Sequence, residues 1–197
     1  MIWLFLLIAY LVGAIPFGLL LGRRIGGTDV RYAGSGNVGA ANVLRTTRPG
    51  VGLTVMALDI SKGGAVVLFA AGLGADEMLR AATGAAVVVG HVFPLWLRFH
   101  GGKGVATACG VFAMLAPYVA TVAVGLFLVT VWMSRYVSLG SIVASLVLPV
   151  LILLTDASQS TVVCAVGVAT LILYRHLPNL ARLQAGTERR LVLRQPM

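Results

Sequence analysis

GVATACGVFAMLAPYVATVAVGLFLVTVWMS, residues 104–134, is an apolar run with one proline, Pro117, near its middle. A helix needs roughly 20 apolar residues to cross a hydrocarbon core of about 30 Å. The run is too long for one such crossing and too short for two full ones. The charges around it decide. Further apolar runs occupy 1–22, 50–72, 79–97, 139–154 and 160–176. Arg23, Arg24, Arg31, Arg45 and Arg48 lie between the first two, Arg98 and Lys103 precede the quoted run, and Arg135 follows it. The tail carries Arg182, Arg189, Arg190 and Arg194, whereas Asp76, Glu77 and Asp156 lie in the remaining connections. Lys and Arg collect on the cytoplasmic side of membrane proteins. Read as one span, 104–134 sends Arg135 and the basic tail outside. Read as two helices hinged near Pro117, it brings every basic loop to one face and the acidic connections to the other.

The expected fold is therefore an all-α polytopic membrane protein. Its seven transmembrane helices lie at 1–22, 50–72, 79–97, 104–116, 118–134, 139–154 and 160–176, with the N-terminus outside and the C-terminus cytoplasmic. Helices four and five are short and call for local thinning or burial against neighbours. Without repeat, low-complexity segment or second core, residues 1–197 read as a single integral membrane domain.

Composition agrees. The chain is 59% hydrophobic and 11% charged, with a mean hydropathy of +0.97, which excludes a soluble domain. The first run lacks a basic leader and an A-x-A cleavage site and is expected to be retained. The chain's 24 glycines suit close helix packing in a membrane. In this setting the net charge of +9 points to anionic lipid head groups or anionic substrates, and no nucleic-acid partner is expected. Cys109 and Cys164 sit in apolar runs without C-x-x-C spacing and read as reduced structural thiols.

Chemistry-bearing residues gather on the basic face. GSGNVGAANVLR, residues 34–45, offers Gly34, Gly36 and Gly39 for close backbone approach to an anion. Ser35, Asn37, Asn42 and Arg45 add donors suited to phosphate oxygens. The match of Gly34, Gly36 and Gly39 to G-x-G-x-x-G is rejected as a dinucleotide fingerprint, because a membrane helix precedes it instead of a strand. HGGKGVAT, residues 100–107, brackets Lys103 with Gly101, Gly102 and Gly104 at the start of a helix, whose free N–H groups and dipole favour phosphate. RHLPNLARLQAGTE, residues 175–188, supplies Arg175, His176, Asn179, Arg182 and Glu188. His176 and Asn179 share a face if the helix continues, but Pro178 disfavours helix at Leu177. Ser141, in SLGS, adds a hydroxyl from the same side. Within the membrane, Asp59 and Lys62 are three apart and pair on one face, as a structural clamp or a functional pair. His91 reads as a hydrogen-bonded structural histidine.

Several lipid enzymes are excluded. An H-x-x-x-x-D acyltransferase needs Asp five residues after His; Trp96, Val105 and Ala181 stand there. The six acidic residues include no cytoplasmic group, so no metal and no other cofactor is expected. No Ser or Cys nucleophile with a His–Asp partner is visible. A substrate that arrives already activated remains.

GSGNVGAANVLR, GHVFPLWLRFHGGKGVAT and RHLPNLARLQAGTE closely resemble, in order, the three motif regions of the bacterial acyl-phosphate:glycerol-3-phosphate acyltransferase family (PlsY type). LDISKGG at 58–64 resembles that family's second helix. The resemblance implies seven helices in the bacterial inner membrane with the active site on the cytoplasmic face. It implies transfer of a fatty acyl group from acyl phosphate to the 1-hydroxyl of glycerol 3-phosphate, giving lysophosphatidic acid and inorganic phosphate, the first step of phospholipid synthesis. It links Gly101, Gly102, Lys103 and Gly104, through Thr107, to glycerol 3-phosphate, and gives Ser35, Arg45, His176, Asn179 and Glu188 functional roles. The expected partners are thus glycerol 3-phosphate, acyl phosphate and membrane lipids. The hydroxyl proton goes to a substrate phosphate or, in the second reading, to His176. Two other classes compete. One is a transporter of phosphate esters, against which the polar residues gather at one face and not at mid-membrane. The other is a lipid-binding scaffold, which leaves the glycine-rich cationic loops without a use.

Overall fold

Pro16, Pro94 and Pro117 divide the apolar runs, and each marks a break in a helix. The computed structural model describes residues 2–191; Met1 and the tail's Arg194 lie outside the described residues. The helices are α1 (Ile2–Gly13), α2 (Phe17–Arg24), α3 (Ala40–Thr46), α4 (Pro49–Gly72), α5 (Glu77–Val92), α6 (Val105–Leu115), α7 (Pro117–Ser134), α8 (Val137–Leu153) and α9 (Gln159–Gln184). A 3₁₀ turn at Leu95–Leu97 follows α5. The described residues contain no strand. Among the described residues, five stretches are long and apolar enough to cross a membrane: Ile2–Arg24, Pro49–Gly72, Glu77–Leu97, Pro117–Ser134 and Gln159–Gln184. The chain is a multi-pass, all-helical membrane protein.

The helix boundaries correct the expected ones in four places. The run 1–22 is not one helix but α1 and α2, because Pro16 has no N–H to give and disfavours helix at Ile15. The run 79–97 begins earlier, at Glu77, because Asp76 caps α5 by accepting from the Leu79 N–H at 2.8 Å. It ends as α-helix at Val92, before Pro94, and the chain reverses through Arg98 and Phe99 in left-handed conformations (φ 50° and 64°). The last helix does not stop at His176 but runs through Pro178 to Gln184. Pro178 removes one backbone bond, and side-chain bonds of Asn179 and Arg182, described below, anchor the turn beyond it. Finally, the loop 23–49 contains α3, whose short apolar face (Val43) packs into a small core with Leu19, Val30, Val38, Val51 and Val55. At Pro117 the chain does break, with Pro117 opening α7, where a missing N–H costs nothing.

Close packing sets the helix positions. α4 crosses α6 through glycines: a Cβ on Gly63 would stand 2.1 Å from the Thr107 carbonyl oxygen, and one on Gly110 would stand 1.9 Å from that of Ile60. This backbone contact is continuous with the 100–104 loop, so the α4–α6 crossing places that loop. Phe112, Val88, Val92, Val111, Val168 and Ile172 fill the core beside it. Trp3, Tyr118 and Trp132 project from helix ends, where amphipathic rings suit a membrane interface.

Gly110→Val is expected to destabilise the fold by about 1–3 kcal/mol through overpacking. Gly125→Ala, where an added Cβ meets nothing within 4 Å, serves as the neutral control. Thermal unfolding of both variants in detergent checks this.

Candidate active site

α9 carries His176 and Asn179 on one buried face, and Glu188 returns beneath them after the helix ends. Asn179 joins two charges. Its Nδ2 donates to Glu188 Oε1 at 2.6 Å, and its Oδ1 accepts a hydrogen bond from Lys103 Nζ. Ser138 Oγ, at the start of α8, donates to the same Glu188 oxygen at 2.7 Å, and Arg182 Nε donates to Oε2 at 2.7 Å. Burial alone pushes the Glu188 carboxyl up, but the hydrogen bonds from Ser138, Asn179 and Arg182 outweigh it and hold the group below its ordinary value. Glu188 is an ionised anchor. Lys103 is the opposite case. Burial pushes its ammonium down to about 8, the Glu188 charge resists, and Arg182, Arg175 and Arg45 add to the fall.

The three motif regions meet at one end of the bundle. The Gly101 carbonyl accepts from Asn37 Nδ2 at 3.4 Å and from an Arg175 terminal nitrogen at 3.1 Å, so the first loop, the second loop and α9 share one atom. His176 donates its Nδ1 proton to the Ile172 carbonyl at 2.8 Å, which leaves Nε2 as an acceptor. Arg45 is half-buried on α3 and makes no side-chain hydrogen bond or ion pair among the described residues; its Nε is a buried donor without a partner. Burial lowers its pKa and Glu188 opposes the fall, but a guanidinium keeps its charge. Thr107, on the first turn of α6, is buried and its Oγ1 is also without a partner.

The structure uses the two glycine loops differently from a nest of free N–H groups. Gly101 N and Gly102 N donate to the Val92 and His91 carbonyls at 3.0 and 3.1 Å, closing the loop onto the end of α5. Gly104 is left-handed (φ 90°), a conformation for which glycine has no Cβ penalty, and it turns the chain into α6. The N–H groups left without a helical partner are those at the α6 start. In the first loop, Ser35 N donates to Asn42 Oδ1 at 2.8 Å, Gly36 N to the Ala33 carbonyl at 3.0 Å and Gly39 N to Asn37 Oδ1 at 2.8 Å. Asn42 is buried, and its Nδ2 faces the carbonyls of Val30, Ala33 and Asn37 at 3.0, 3.1 and 2.8 Å. Asn42 is therefore a loop-tying residue with no donor to spare, although its sequence context reads as a ligand. Gly34 lies in a left-handed turn against it. Ser141 spends its hydroxyl on the Val137 carbonyl at 2.9 Å. The serine that reaches the site is Ser138, one turn earlier; its place just after Arg135 was the available signal.

The matching of the whole chain decides its family. The family model described as glycerol-3-phosphate acyltransferase matches residues 3–186. The chain belongs to the glycerol-3-phosphate acyltransferase family. It is 43% identical over 188 residues to the glycerol-3-phosphate acyltransferase of Synechococcus sp. (strain CC9902), covering 95% of this chain and 94% of that protein. Its fold matches the crystal structure of PlsY (YgiH), an integral membrane glycerol 3-phosphate acyltransferase, in the glycerol 3-phosphate form. The TM-score is 0.92 at 38% identity, covering 97% of this chain and 96% of that one. The lysophosphatidic acid form of PlsY matches with a TM-score of 0.90 at 37% identity, covering 97% and 95%.

The chain has two lysines, Lys62 and Lys103, against thirteen arginines. Lysine-selective ¹⁵N labelling thus gives two side-chain resonances. That of Lys103 is expected to titrate near 8. Glu188→Gln removes the charge that favours the ammonium and should lower the midpoint by about one unit, whereas Ser138→Ala should shift it less. NMR titration in detergent checks both.

Proposed function

We propose that the protein transfers a fatty acyl group from acyl phosphate to the 1-hydroxyl of glycerol 3-phosphate, releasing lysophosphatidic acid and inorganic phosphate. It is an acyltransferase of phospholipid biosynthesis. The observation that carries the reading is the surplus of positive charge at the site. Among the described residues, Lys103 rests on a neutral amide, Arg45 makes no ion pair, and Glu188 is the only carboxylate hydrogen-bonded in this network. Such a site calls for phosphate, and two substrates that each bear one supply it.

Acyl phosphate is a mixed anhydride with a good leaving group. The glycerol 3-phosphate hydroxyl oxygen attacks the acyl carbonyl carbon, the bond from that carbon to the phosphate oxygen breaks, and the phosphate leaves with the electron pair. The hydroxyl proton passes to a substrate phosphate. The protein's task is alignment and charge stabilisation. Lys103, Arg45 and the N–H groups at the start of α6, beside Gly104 and Thr107, hold phosphate. Ser35, His176 Nε2 and Asn179 orient the reacting groups. Glu188, with both oxygens engaged, keeps Asn179 and Lys103 in place and takes no proton. The scheme requires no metal and no cofactor.

The same reading assigns the membrane arrangement. α1 with α2, then α4, α5, α6, α7, α8 and α9 make seven crossings, with the N-terminus outside and the C-terminus cytoplasmic. Two observations support it: Lys103, Ser138 and Glu188 meet at one end of the bundle, and the basic loops share that end. The whole chain acts as one integral membrane domain of a bacterial inner membrane, with its site on the cytoplasmic face and its acyl donor drawn from the lipid phase.

Purified protein given glycerol 3-phosphate and palmitoyl phosphate is expected to release phosphate and form lysophosphatidic acid, and palmitoyl-CoA is expected not to replace the donor. Lys103→Ala should lose activity or demand far more glycerol 3-phosphate, by about 100-fold in kcat/KM or more. Turnover with palmitoyl-CoA would discard the donor, and no turnover with either would favour a carrier of phosphate esters. His176→Gln separates the two proton acceptors: retention of most of kcat fits proton transfer to substrate phosphate, and loss of about 100-fold or more fits His176 as the base.

A further inference from the structure

Lys62 lies among three partners from three different segments. Its Nζ is 2.8 Å from Asp59 Oδ1, an ion pair without the alignment of a hydrogen bond. The ammonium donates to the Ile15 carbonyl, at the break between α1 and α2, at 3.1 Å. It also contacts His91 Nδ1 at 3.0 Å. An ammonium has only donors, so in this contact Nδ1 accepts; the same nitrogen stands 3.5 Å from Asp59 Oδ1. Asp59, Lys62 and His91 are all buried, and the Phe17 ring lies 5.3 Å from Nζ. The arrangement is that of a cation held by a carboxylate, a carbonyl and an imidazole, with the lysine's own charge in the metal's place.

His91 continues into the second loop. Its carbonyl accepts from Gly102 N at 3.1 Å, and its neighbour Val92 accepts from Gly101 N at 3.0 Å. The Nε2 edge of the ring lies against Gly102, where an added Cβ would stand 2.1 Å from Nε2. Lys103 follows directly. The cluster thus reaches the phosphate-binding loop from below, while Asn37 and Arg175 hold the Gly101 carbonyl from the other side.

We infer that Asp59, Lys62 and His91 are positioning residues that set where the Gly101–Gly104 loop carries Lys103, with the Lys62 ammonium serving as an internal cation that ties the broken first helix to that loop. This rests on the reading that the loop holds a substrate phosphate. The bland alternative is a clamp that only holds α1, α4 and α5 together.

His91→Gln keeps an acceptor for Lys62 but loses the ring edge against Gly102. Asp59→Leu/Lys62→Met removes the ammonium while retaining volume, a replacement that buried ion pairs often tolerate. Each variant that remains folded is expected to raise KM for glycerol 3-phosphate about tenfold with kcat within about threefold, and to move the Lys103 ¹⁵N titration midpoint by about half a unit or more. A folded variant with unchanged KM and an unchanged Lys103 midpoint overturns the inference. If the double substitution does not fold, His91→Gln decides alone. The NMR arm needs no turnover, so an inactive wild-type protein whose Lys103 midpoint still responds would sink the acyl-transfer reading and leave the positioning role standing.

Discussion

The chain of contacts from Lys103 through Asn179 to Glu188 is the constraint on which the rest of the site depends. A lysine among arginines is repelled from every side, and a buried one also loses its hydration. Glu188 opposes both costs in part, without touching the ammonium. Its charge is held by Ser138, Asn179 and Arg182, and the amide between the two ions keeps Lys103 from being neutralised by a direct pair. The result is a cation that is stabilised enough to stay charged near neutral pH and still available to an incoming anion.

Much of this was legible in the sequence, for physical reasons. Membrane crossing leaves a length and hydropathy signal that a soluble core does not. Pro117, weighed against the distribution of Arg, gave the break between α6 and α7. The three loops declared themselves because glycine, asparagine and lysine are costly in an apolar chain. What was not legible followed from partners distant in sequence. Pro16 breaks a helix and Pro178 does not, because Asn179 and Arg182 are bonded beyond Pro178, whereas the carbonyls before Pro16 are bonded by other helices. Asn42 and Arg45 look alike as donors in a glycine-rich loop. Only the fold shows that the amide is spent on the Val30, Ala33 and Asn37 carbonyls while the Arg45 Nε has no partner among the described residues.

The distribution of the two cation types has a physical logic. Arginine appears wherever charge faces solvent, head groups or a planar partner: Arg23 and Arg31 both grip Asp29, and Arg175 lies over the Phe93 ring. Lysine occupies the two positions where a compact charge meets small acceptors: Lys62 among a carboxylate, a carbonyl and an imidazole, and Lys103 on one amide oxygen. A guanidinium is planar and broad and does not fit such a cage. Exchange of Lys for Arg would therefore conserve charge and lose geometry at both positions.

The shortness of α6 has a consequence for what the surrounding bilayer does. Eleven residues span about 16 Å and the eighteen of α7 about 27 Å. Both helices leave Pro117, yet the network through Asn179 and Glu188 joins the residues beyond their far ends. Two helices of unequal length that start together and end together must differ in tilt, so a change in the thickness of the surrounding lipid strains them unequally. The position of Lys103 thereby becomes sensitive to the membrane as well as to its protein partners.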